Sequence, residues 1–171
     1  MRGTVYIGID PGFSGAIAVI RGNVAQVYDT PTVRVSAPPK KGKKRTRLEL
    51  DTDGLAGIFT AIPVTPEGHV LYIEHASVMP HQGVVSSGRY MQSFGYMLGL
   101  AQGLGFNPIL VRPQTWKKAL GLDSDKAKSI ELAKQLYPDA NLKRKRHDDH
   151  NRAEALLITH YAKITYGKES S

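Results

Sequence analysis

The first strand is predicted over residues 5–10, where apolar positions alternate with polar or small ones. This period of two is typical of a half-buried β-strand, and it places Asp10 on the face opposite the aliphatic side chains. A Pro-Gly pair ends the strand, and a second apolar run at 16–20 begins just after Gly15. A third run at 23–28 follows another tight turn, so the first three strands are expected to form an antiparallel meander.

Apolar residues then recur with helical and strand spacing along the rest of the chain. Leu55, Ile58, Phe59 and Ile62 are spaced as on one face of a helix, with Asp51 or Asp53 available as its cap. This helix lies between the strand at 5–10 and the strand predicted at 70–73. A crossover of this kind makes those two strands parallel neighbours. The pattern therefore predicts one α/β domain over residues 1–171, with a five-stranded mixed sheet (three antiparallel strands, then two parallel ones) flanked by helices. The further predicted elements are strands at 70–73 and 108–111, helices at 89–104, 124–137 and 151–164, and a frayed tail at 167–171.

Two acidic residues follow apolar strands in this scheme. Asp10 ends the first strand and Glu74 ends the strand at 70–73. The carboxyl ends of parallel neighbours meet at the same edge of a sheet, which is where open α/β folds collect their ligands. Burying a carboxylate costs free energy unless it is paired or binds a cation. Asp10 and Glu74 are therefore predicted to share a site.

The last predicted helix supplies the third part of that site. Glu154 borders the apolar side of the helix, and His150 lies one turn before it on the same face. Asp149 stands at the helix start, where it either caps the helix or binds the same cation; for Asp148 capping is the preferred interpretation. Such an oxygen-rich set suits Mg²⁺ or Mn²⁺, and the absence of cysteine leaves no thiolate ligand. Beside a basic surface, this chemistry points to two-metal phosphodiester hydrolysis.

The charge of the chain indicates a polyanionic partner. The formal net charge is +8, and the segment 34–47 holds seven Lys or Arg residues and no acid. A second basic stretch covers 112–146. Segregated positive charge of this kind is typical of nucleic-acid binding. We interpret 33–47 as a basic arm, either a mobile loop or an extended β-ribbon that tracks phosphates. The basic residues expected to bind DNA in these two stretches include Lys40, Lys41, Lys43, Lys44, Arg45, Arg47 and Arg146.

Other features restrict the cellular setting. No apolar run has the length that a membrane span needs, and the first residues lead directly into a strand, unlike a signal peptide. The lack of cysteine agrees with a reducing compartment. We therefore expect a cytoplasmic protein with no membrane contact and no small-molecule cofactor.

Several motifs together resemble those of the RuvC-type Holliday-junction resolvases, which have the RNase H-like fold. The motifs are GIDPGFSGAIAV, YIEHASVMPHQGVVSS, SFGYMLGL, VRPQTWKKALGL and DDHNRAEALLI, and they cover nearly the whole chain outside the arm. The similarity is greatest to the phage and organellar branch. IDPG and the acidic helix are weak signals by themselves, whereas the order and spacing of all five motifs make the joint match specific.

The resemblance implies a homodimer in which each subunit nicks one of two opposing strands of a four-way DNA junction and leaves ligatable ends. Asp10, Glu74 and Glu154 match the carboxylates that hold two Mg²⁺ ions in the family, and either His150 or Asp149 matches the fourth ligand. The basic residues near the cut phosphate fall on Lys117 or Lys118, at a predicted helix start, and on Lys126 or Lys128. The loop at 77–88 would probe the junction centre.

Gly95, Gly99 and Gly103 recur on one face of the helix predicted at 89–104. Each glycine costs a helix about 0.5–1 kcal/mol relative to alanine. This spacing therefore indicates that another backbone approaches closely, either the sheet or a partner subunit.

Three alternative functions share some of these features. Sugar kinases and actin-like ATPases also open with a GIDPG-like turn, but they need a second lobe and a second glycine-rich nucleotide loop, which this sequence lacks. An RNase H-like ribonuclease acting on RNA or on an RNA–DNA hybrid would use the same metal site. A non-catalytic junction-binding protein would keep the basic surface, although three acids in register argue against it.

Overall fold

The structure is a computed structural model that describes residues 3–40, 42–62, 68–75, 77 and 83–169. Its elements follow the predicted order, with two long additional strands in the first basic segment and two short ones in the second. The strands are β1 (Val5–Asp10), β2 (Ala16–Arg21), β3 (Val24–Asp29), β4 (Thr32–Lys40), β5 (Lys43–Leu50), β6 (His69–Glu74), β7 (Pro108–Val111), β8 (Lys143–Arg144) and β9 (His147–Asp148). The helices are α1 (Thr52–Ala61), α2 (Val84–Gly103), α3 (Pro113–Ala119), α4 (Lys126–Leu136) and α5 (His150–Glu169).

The predicted five-stranded mixed sheet is confirmed. Its strand order is β3-β2-β1-β6-β7. β1 pairs antiparallel with β2 and parallel with β6, and β6 pairs parallel with β7. The register sets Ile9 beside Ile73, so the chain leaves β1 and β6 at the same edge.

Two apolar layers cover the faces of the sheet. Val5, Ile7 and Ile9 of β1 pack with residues of α1 and α2, including Phe59. The opposite face of the sheet, on which Asp10 lies, is covered by α3, α4 and α5. The alternation in β1 thus sorts side chains between two cores, and it directs Asp10 toward α5.

The approach of α5 to the sheet depends on Gly8. A Cβ atom at Gly8 would lie 2.4 Å from the backbone nitrogen of Thr159 and 2.6 Å from the carbonyl oxygen of Ala155. Both distances are too short for real atoms, so only glycine allows α5 to cross β1 this closely. The crossing places the first turns of α5, including Glu154, near the end of β1.

The basic arm forms a two-stranded antiparallel ribbon. β4 and β5 pair from Thr32 opposite Leu50 to Lys40 opposite Lys43, with an irregularity after Ala37. Of the two interpretations given to this segment, the structure has the extended ribbon. β5 continues to Leu50, and α1 follows; of the two predicted candidates, Asp51 is the cap, and it accepts from the backbone N–H of Gly54 at 2.9 Å.

Several predicted boundaries were wrong. α2 begins at Val84 rather than at residue 89. Its first turn is exposed to solvent and carries no apolar period, which is why the sequence did not reveal it. α4 begins at Lys126 rather than at residue 124, and Asp125 caps it, since the Asp125 carboxylate accepts from the backbone N–H of Ala127. Lys117 lies in the last turn of α3, not at a helix start.

Two further segments differ from the expected loops and tail. The end of the second basic stretch, at 141–146, leads into the small hairpin of β8 and β9, whose turn holds Lys145 at a positive φ of 60°. α5 continues through Glu169, into the segment expected to be frayed. Within the described ranges, no helix is both long enough and apolar enough to cross a membrane.

Candidate active site

Asp10 and Glu74 end neighbouring parallel strands, as the sequence predicted. Both are largely buried, with 8% of Asp10 and 9% of Glu74 exposed. Burial raises the pKa of Asp10 well above its usual value, and the nearby charges of Glu74 and Glu154 raise it further. Burial also raises the pKa of Glu74. The three carboxylates therefore form one electrostatically coupled acid cluster.

Two consecutive residues of α3 donate hydrogen bonds to this cluster. Trp116 Nε1 donates to Glu74 Oε2 at 2.8 Å. Lys117 Nζ lies 2.7 Å from Glu154 Oε1 in a largely buried ion pair. The Lys117 ammonium also lowers the pKa of Asp10, so it partly compensates the negative charge. The sequence placed Lys117 among the DNA-binding residues, but the structure joins it to the acids.

Asp149 caps α5. Its Oδ1 accepts from the backbone N–H groups of Asn151 at 3.0 Å and Arg152 at 3.1 Å. Its Oδ2 lies 3.3 Å from Arg144 Nε. The capping role considered for Asp149 is therefore present, and the carboxylate remains close enough to Asp10 to raise its pKa.

His150 is half-buried at the first position of α5. Among the described residues, no hydrogen bond or ion pair joins its imidazole to the acid cluster. The structure thus brings Asp10, Glu74 and Glu154 together, while both candidates for a fourth ligand lie at the helix start.

Two arginines that the sequence did not single out hold this edge of the sheet. Arg144 donates to the carbonyl oxygens of Ser14 at 2.8 Å and Gly15 at 3.0 Å. Arg152 is paired with Asp29 at 2.6 Å and donates to the carbonyl oxygen of Val27 at 2.7 Å. They join the turn after Asp10 to β3 and to α5. The sequence did contain a signal for Arg152, because an arginine inside the apolar stretch of α5 needs a partner. That partner, Asp29, is more than 100 positions away in the chain, so the pairing could not be predicted.

The turn after Asp10 is also fixed against α2. A Cβ at Gly15 would lie 2.1 Å from the carbonyl oxygen of Asp10, so this position requires glycine. The backbone N–H of Gly12 donates to the buried Ser93 hydroxyl at 3.1 Å. Tyr90, one turn earlier in α2, lies beside Gly12, and its pKa is raised by burial and by the three carboxylates. Sequence reasoning missed Tyr90, because nothing in its position along α2 pointed to the acids.

The basic ribbon reaches the same turn. The Arg89 guanidinium on α2 stacks over the Phe13 ring at 4.4 Å and donates to the carbonyl oxygen of Leu48 on β5. A cavity of about 520 Å³ between the ribbon and α2 is lined in part by Phe13, Arg45 and Arg47. Arg47 is paired with Glu49 at 2.6 Å, so the positive charge of the ribbon is partly compensated at that end.

The other basic residues predicted to bind DNA lie at the surface wherever the structure describes their side chains. Lys43, Lys44 and Arg45 are exposed on β5; Lys40 ends β4, and Lys41 falls outside the described residues. Lys118, Lys126 and Arg146 are exposed, and Lys128 is paired with Asp123 at 2.5 Å. Much of the loop at 77–88 also falls outside the described residues, and 84–88 belong to α2.

The acid cluster offers the oxygen ligands that a hard divalent cation prefers, but these ligands are not arranged around a single ion. The donors are carboxylate oxygens, whose mutual repulsion a divalent ion would relieve. In the part of the chain that the structure describes, however, no three His, Asp or Glu side chains are arranged to hold one ion. Glu74, Glu154 and Asp149 each direct at least one oxygen to a partner within the protein. The residues fit such an ion if Glu154 gives up its ion pair with Lys117 and binds the ion instead.

The glycine face of α2 is open. Among the described residues, no atom outside the helix backbone would lie within 4 Å of a Cβ at Gly95, Gly99 or Gly103. The sheet is therefore not the reason for these glycines. A groove of about 510 Å³ follows this face, lined by Tyr96 and Leu100 among others.

The fold is shared with RuvC, as the resemblance implied. A Thermus thermophilus RuvC structure in complex with a Holliday junction substrate has a TM-score of 0.60 at 14% identity, over 97% of this chain and 96% of that chain. Another Thermus thermophilus RuvC structure has a TM-score of 0.53 at 15% identity, over 98% and 97%. At such low identity the matches show the fold alone, and they confirm the predicted RNase H-like class.

Sequence similarity points to the organellar branch. The chain is 32% identical over 113 residues to the chloroplastic Holliday junction resolvase MOC1 of Chlamydomonas reinhardtii. The match covers 63% of this chain but only 13% of that protein. No family model matches the chain. The resemblance to RuvC-type resolvases is thus confirmed in sequence and in fold, although this relative is chloroplastic whereas we expected a cytoplasmic protein.

Proposed function

We propose that this protein is a structure-selective endodeoxyribonuclease that resolves four-way DNA junctions by paired, metal-dependent phosphodiester hydrolysis and leaves ligatable nicks. The observation that carries this proposal is the acid cluster at the edge of a RuvC-like sheet: Asp10 and Glu74 are buried at the ends of neighbouring strands, and burial together with the charge of Glu154 raises the pKa of both. Buried acids kept this close without full compensation are the pattern of a functional site. The similarity to named resolvases supports the choice of substrate.

Asp10, Glu74 and Glu154 are the residues that would hold two Mg²⁺ ions, with Mn²⁺ as a substitute, and His150 or Asp149 would complete the set. When bound, such ions activate water and stabilise the leaving oxygen of the cleaved phosphodiester. The protein supplies the fixed position of the carboxylates. β1 and β6 hold two of them, and the close crossing at Gly8 holds the third.

Lys117 is the basic residue best placed to act at the cut phosphate. In the structure it is paired with Glu154. Release from Glu154 would leave its ammonium beside the site as a point charge for a phosphate oxygen. Lys118, Lys126, Lys128 and Arg146 are proposed to contact phosphates farther from the cut, because they lie at the surface.

The ribbon is proposed to hold an arm of the junction. Lys43, Lys44 and Arg45 are exposed on this extended β-hairpin, which begins just after β3, and Arg89 fixes its base beside the turn that follows Asp10. Phosphate contacts of this kind provide affinity without sequence preference.

The proposed enzyme acts as a homodimer, so that two acid clusters cut opposing strands. The open glycine face of α2 and its groove are the proposed contact, because glycines at this spacing allow two helices to pack closely. Replacing exposed Gly99 by Arg should yield a monomer in sedimentation, whereas Gly57→Arg on α1 should leave the dimer intact. An unaltered dimer in both variants would remove this face from consideration.

The test of the function compares three labelled substrates in the presence of Mg²⁺: a four-way junction, a linear duplex of the same sequence and an RNA–DNA hybrid. The proposal predicts paired, symmetric nicks in the junction and an intact duplex. Cleavage of the hybrid with an intact junction would contradict it and favour a ribonuclease on the same fold. Binding of the junction without cleavage of any substrate would favour a non-catalytic junction-binding protein.

A further inference from the structure

Trp116 is the one tryptophan of the chain, and its side chain is fully buried against the acid cluster. Its indole Nε1 lies 2.8 Å from Glu74 Oε2. Glu74 in turn ends β6, in the middle of the proposed site. Trp116 packs in the same apolar layer as Leu156 and Tyr137, so its ring is held on all sides.

The chemistry of the indole makes this contact directional. An indole N–H donates and never accepts, so it bonds one carboxylate oxygen in one orientation. Because the ring is buried, it cannot change rotamer without disturbing the layer around it. Among the described residues, this is the only hydrogen bond that the Glu74 carboxylate accepts. Oε2 is thus held by Trp116, and Oε1 accepts no hydrogen bond from the described residues.

The position of Trp116 next to Lys117 adds to this argument. The two side chains leave α3 together and reach different acids, Glu74 and Glu154. The Lys117 ammonium lies 5.1 Å from the centre of the Trp116 ring, close enough for a cation–π contact. The Lys117 pair can be exchanged when a phosphate or a cation arrives, whereas the indole bond has no competing partner.

We propose that Trp116 is a positioning residue that fixes the Glu74 carboxylate in the orientation required to bind a divalent cation. The proposal rests on the proposed metal-dependent function, since it concerns the same acid cluster. Partners that orient a metal ligand typically change metal affinity about 10-fold to 100-fold when they are removed. A residue that only filled the apolar layer would change stability and leave metal affinity unaltered.

The test measures Mg²⁺ binding by calorimetry without DNA, so that its readout is independent of cleavage. Trp116→Phe keeps an aromatic ring but removes the N–H donor. Because the chain has one tryptophan, growth with β-(3-benzothienyl)alanine, in which sulfur replaces the indole N–H, alters residue 116 alone and preserves its volume. Both proteins are expected to bind Mg²⁺ about 10-fold to 100-fold more weakly than the wild type.

Tyr137→Phe is the matched control. Tyr137 is buried in the same layer, and its hydroxyl is hydrogen-bonded to His160 at 2.9 Å. Removing that hydroxyl deletes one aromatic hydrogen bond without touching the acids, so Mg²⁺ affinity should not change. If Trp116→Phe fails to fold, the benzothienyl protein decides the result.

The fluorescence of Trp116 gives a second readout. A charge 2.8 Å from the indole nitrogen affects its emission, so Mg²⁺ should shift the wild-type spectrum, and Glu74→Gln should abolish the shift. If the wild type binds no Mg²⁺, the proposed function fails, and this inference fails with it. If the wild type binds Mg²⁺ and both altered proteins bind it within twofold of the wild type, the inference about Trp116 is overturned while the proposed function stands.

Discussion

The acid cluster and the basic ribbon are built in opposite ways. Asp10 and Glu74 are more than nine-tenths buried at the ends of two neighbouring strands, and Glu74 is also held by Trp116 from α3. The side chains of Lys43 to Arg45 are exposed on a hairpin whose contacts are mostly between its own two strands. The cluster thus depends on the position of each atom, whereas the ribbon depends on its total charge.

This difference predicts two kinds of sensitivity. A single change in the cluster should remove a chemical step, because no neighbouring residue can take the same position. A single change in the ribbon should be tolerated, because exposed lysines and arginines contribute to binding in parallel. A cluster variant with a small effect on cleavage would contradict this difference, and so would a single ribbon variant with a large effect on cleavage.

The largest effects are expected from removing a carboxylate of the cluster, as in Glu154→Gln. Loss of one metal ligand should raise the barrier by about 4 kcal/mol, which slows cleavage about 10³-fold. Glu131→Gln, on the exposed side of α4, removes the same charge away from the site and is the control. Single-turnover cleavage of a four-way junction measures both. Equal rates for these two variants would show that the cluster is not the cutting site.

The close crossing of α5 over β1 is tested by Gly8→Ala. The added Cβ would meet the backbone of Thr159, and we expect a loss of about 1–3 kcal/mol in the free energy of unfolding, together with slower cleavage as Glu154 shifts. Gly57→Ala is the matched control, because nothing among the described residues lies within 4 Å of its Cβ. It should stabilise α1 by about 0.5–1 kcal/mol. Urea unfolding that shows Gly8→Ala to be neutral would contradict the packing described here.

A smaller effect is expected from neutralising the ribbon. The triple variant Lys43→Gln, Lys44→Gln, Arg45→Gln should bind the junction more weakly, and the slope of log affinity against log salt should flatten by about 0.9 per lost phosphate contact. Lys134→Gln, whose ammonium is already paired with Asp148 at 2.5 Å, controls for net charge alone. Binding titrations over a range of salt concentrations measure this. A salt slope that does not change would make the ribbon an ordinary solvated hairpin.

The smallest effect concerns stability without metal. Because the pKa of Asp10 is raised in the folded protein, its contribution to stability is fully present below its unfolded pKa of about 3.9 and is lost as pH rises through the folded value. In EDTA at pH 7, Asp10→Asn should therefore be more stable than the wild type, by about 0.5–2 kcal/mol. Its stability should also fall less from pH 4 to pH 7. Thermal unfolding across this pH range provides the measurement, and a destabilised Asp10→Asn would contradict the repulsion described here.

The sequence predicted the strands better than the contacts around the site. Alternation in β1 was enough to place Asp10 on one face, and the crossover rule was enough to bring Glu74 beside it. The bonds from Trp116 to Glu74 and from Arg152 to Asp29 were not predictable, because they depend on how a helix is rotated against the sheet. The start of α2 was missed for a different reason: Val84 and Val85 are exposed, so no period reveals that they are helical.

The division between cutting and binding can be tested directly on one labelled four-way junction. Asp10→Asn and the ribbon triple variant are compared by two quantities, the dissociation constant and the single-turnover cleavage rate at saturating protein with Mg²⁺. We predict that Asp10→Asn binds like the wild type but does not cut, and that the ribbon variant binds more weakly but cuts at the wild-type rate once bound. Cleavage by Asp10→Asn at the wild-type rate would contradict the assignment of the acid cluster as the active site.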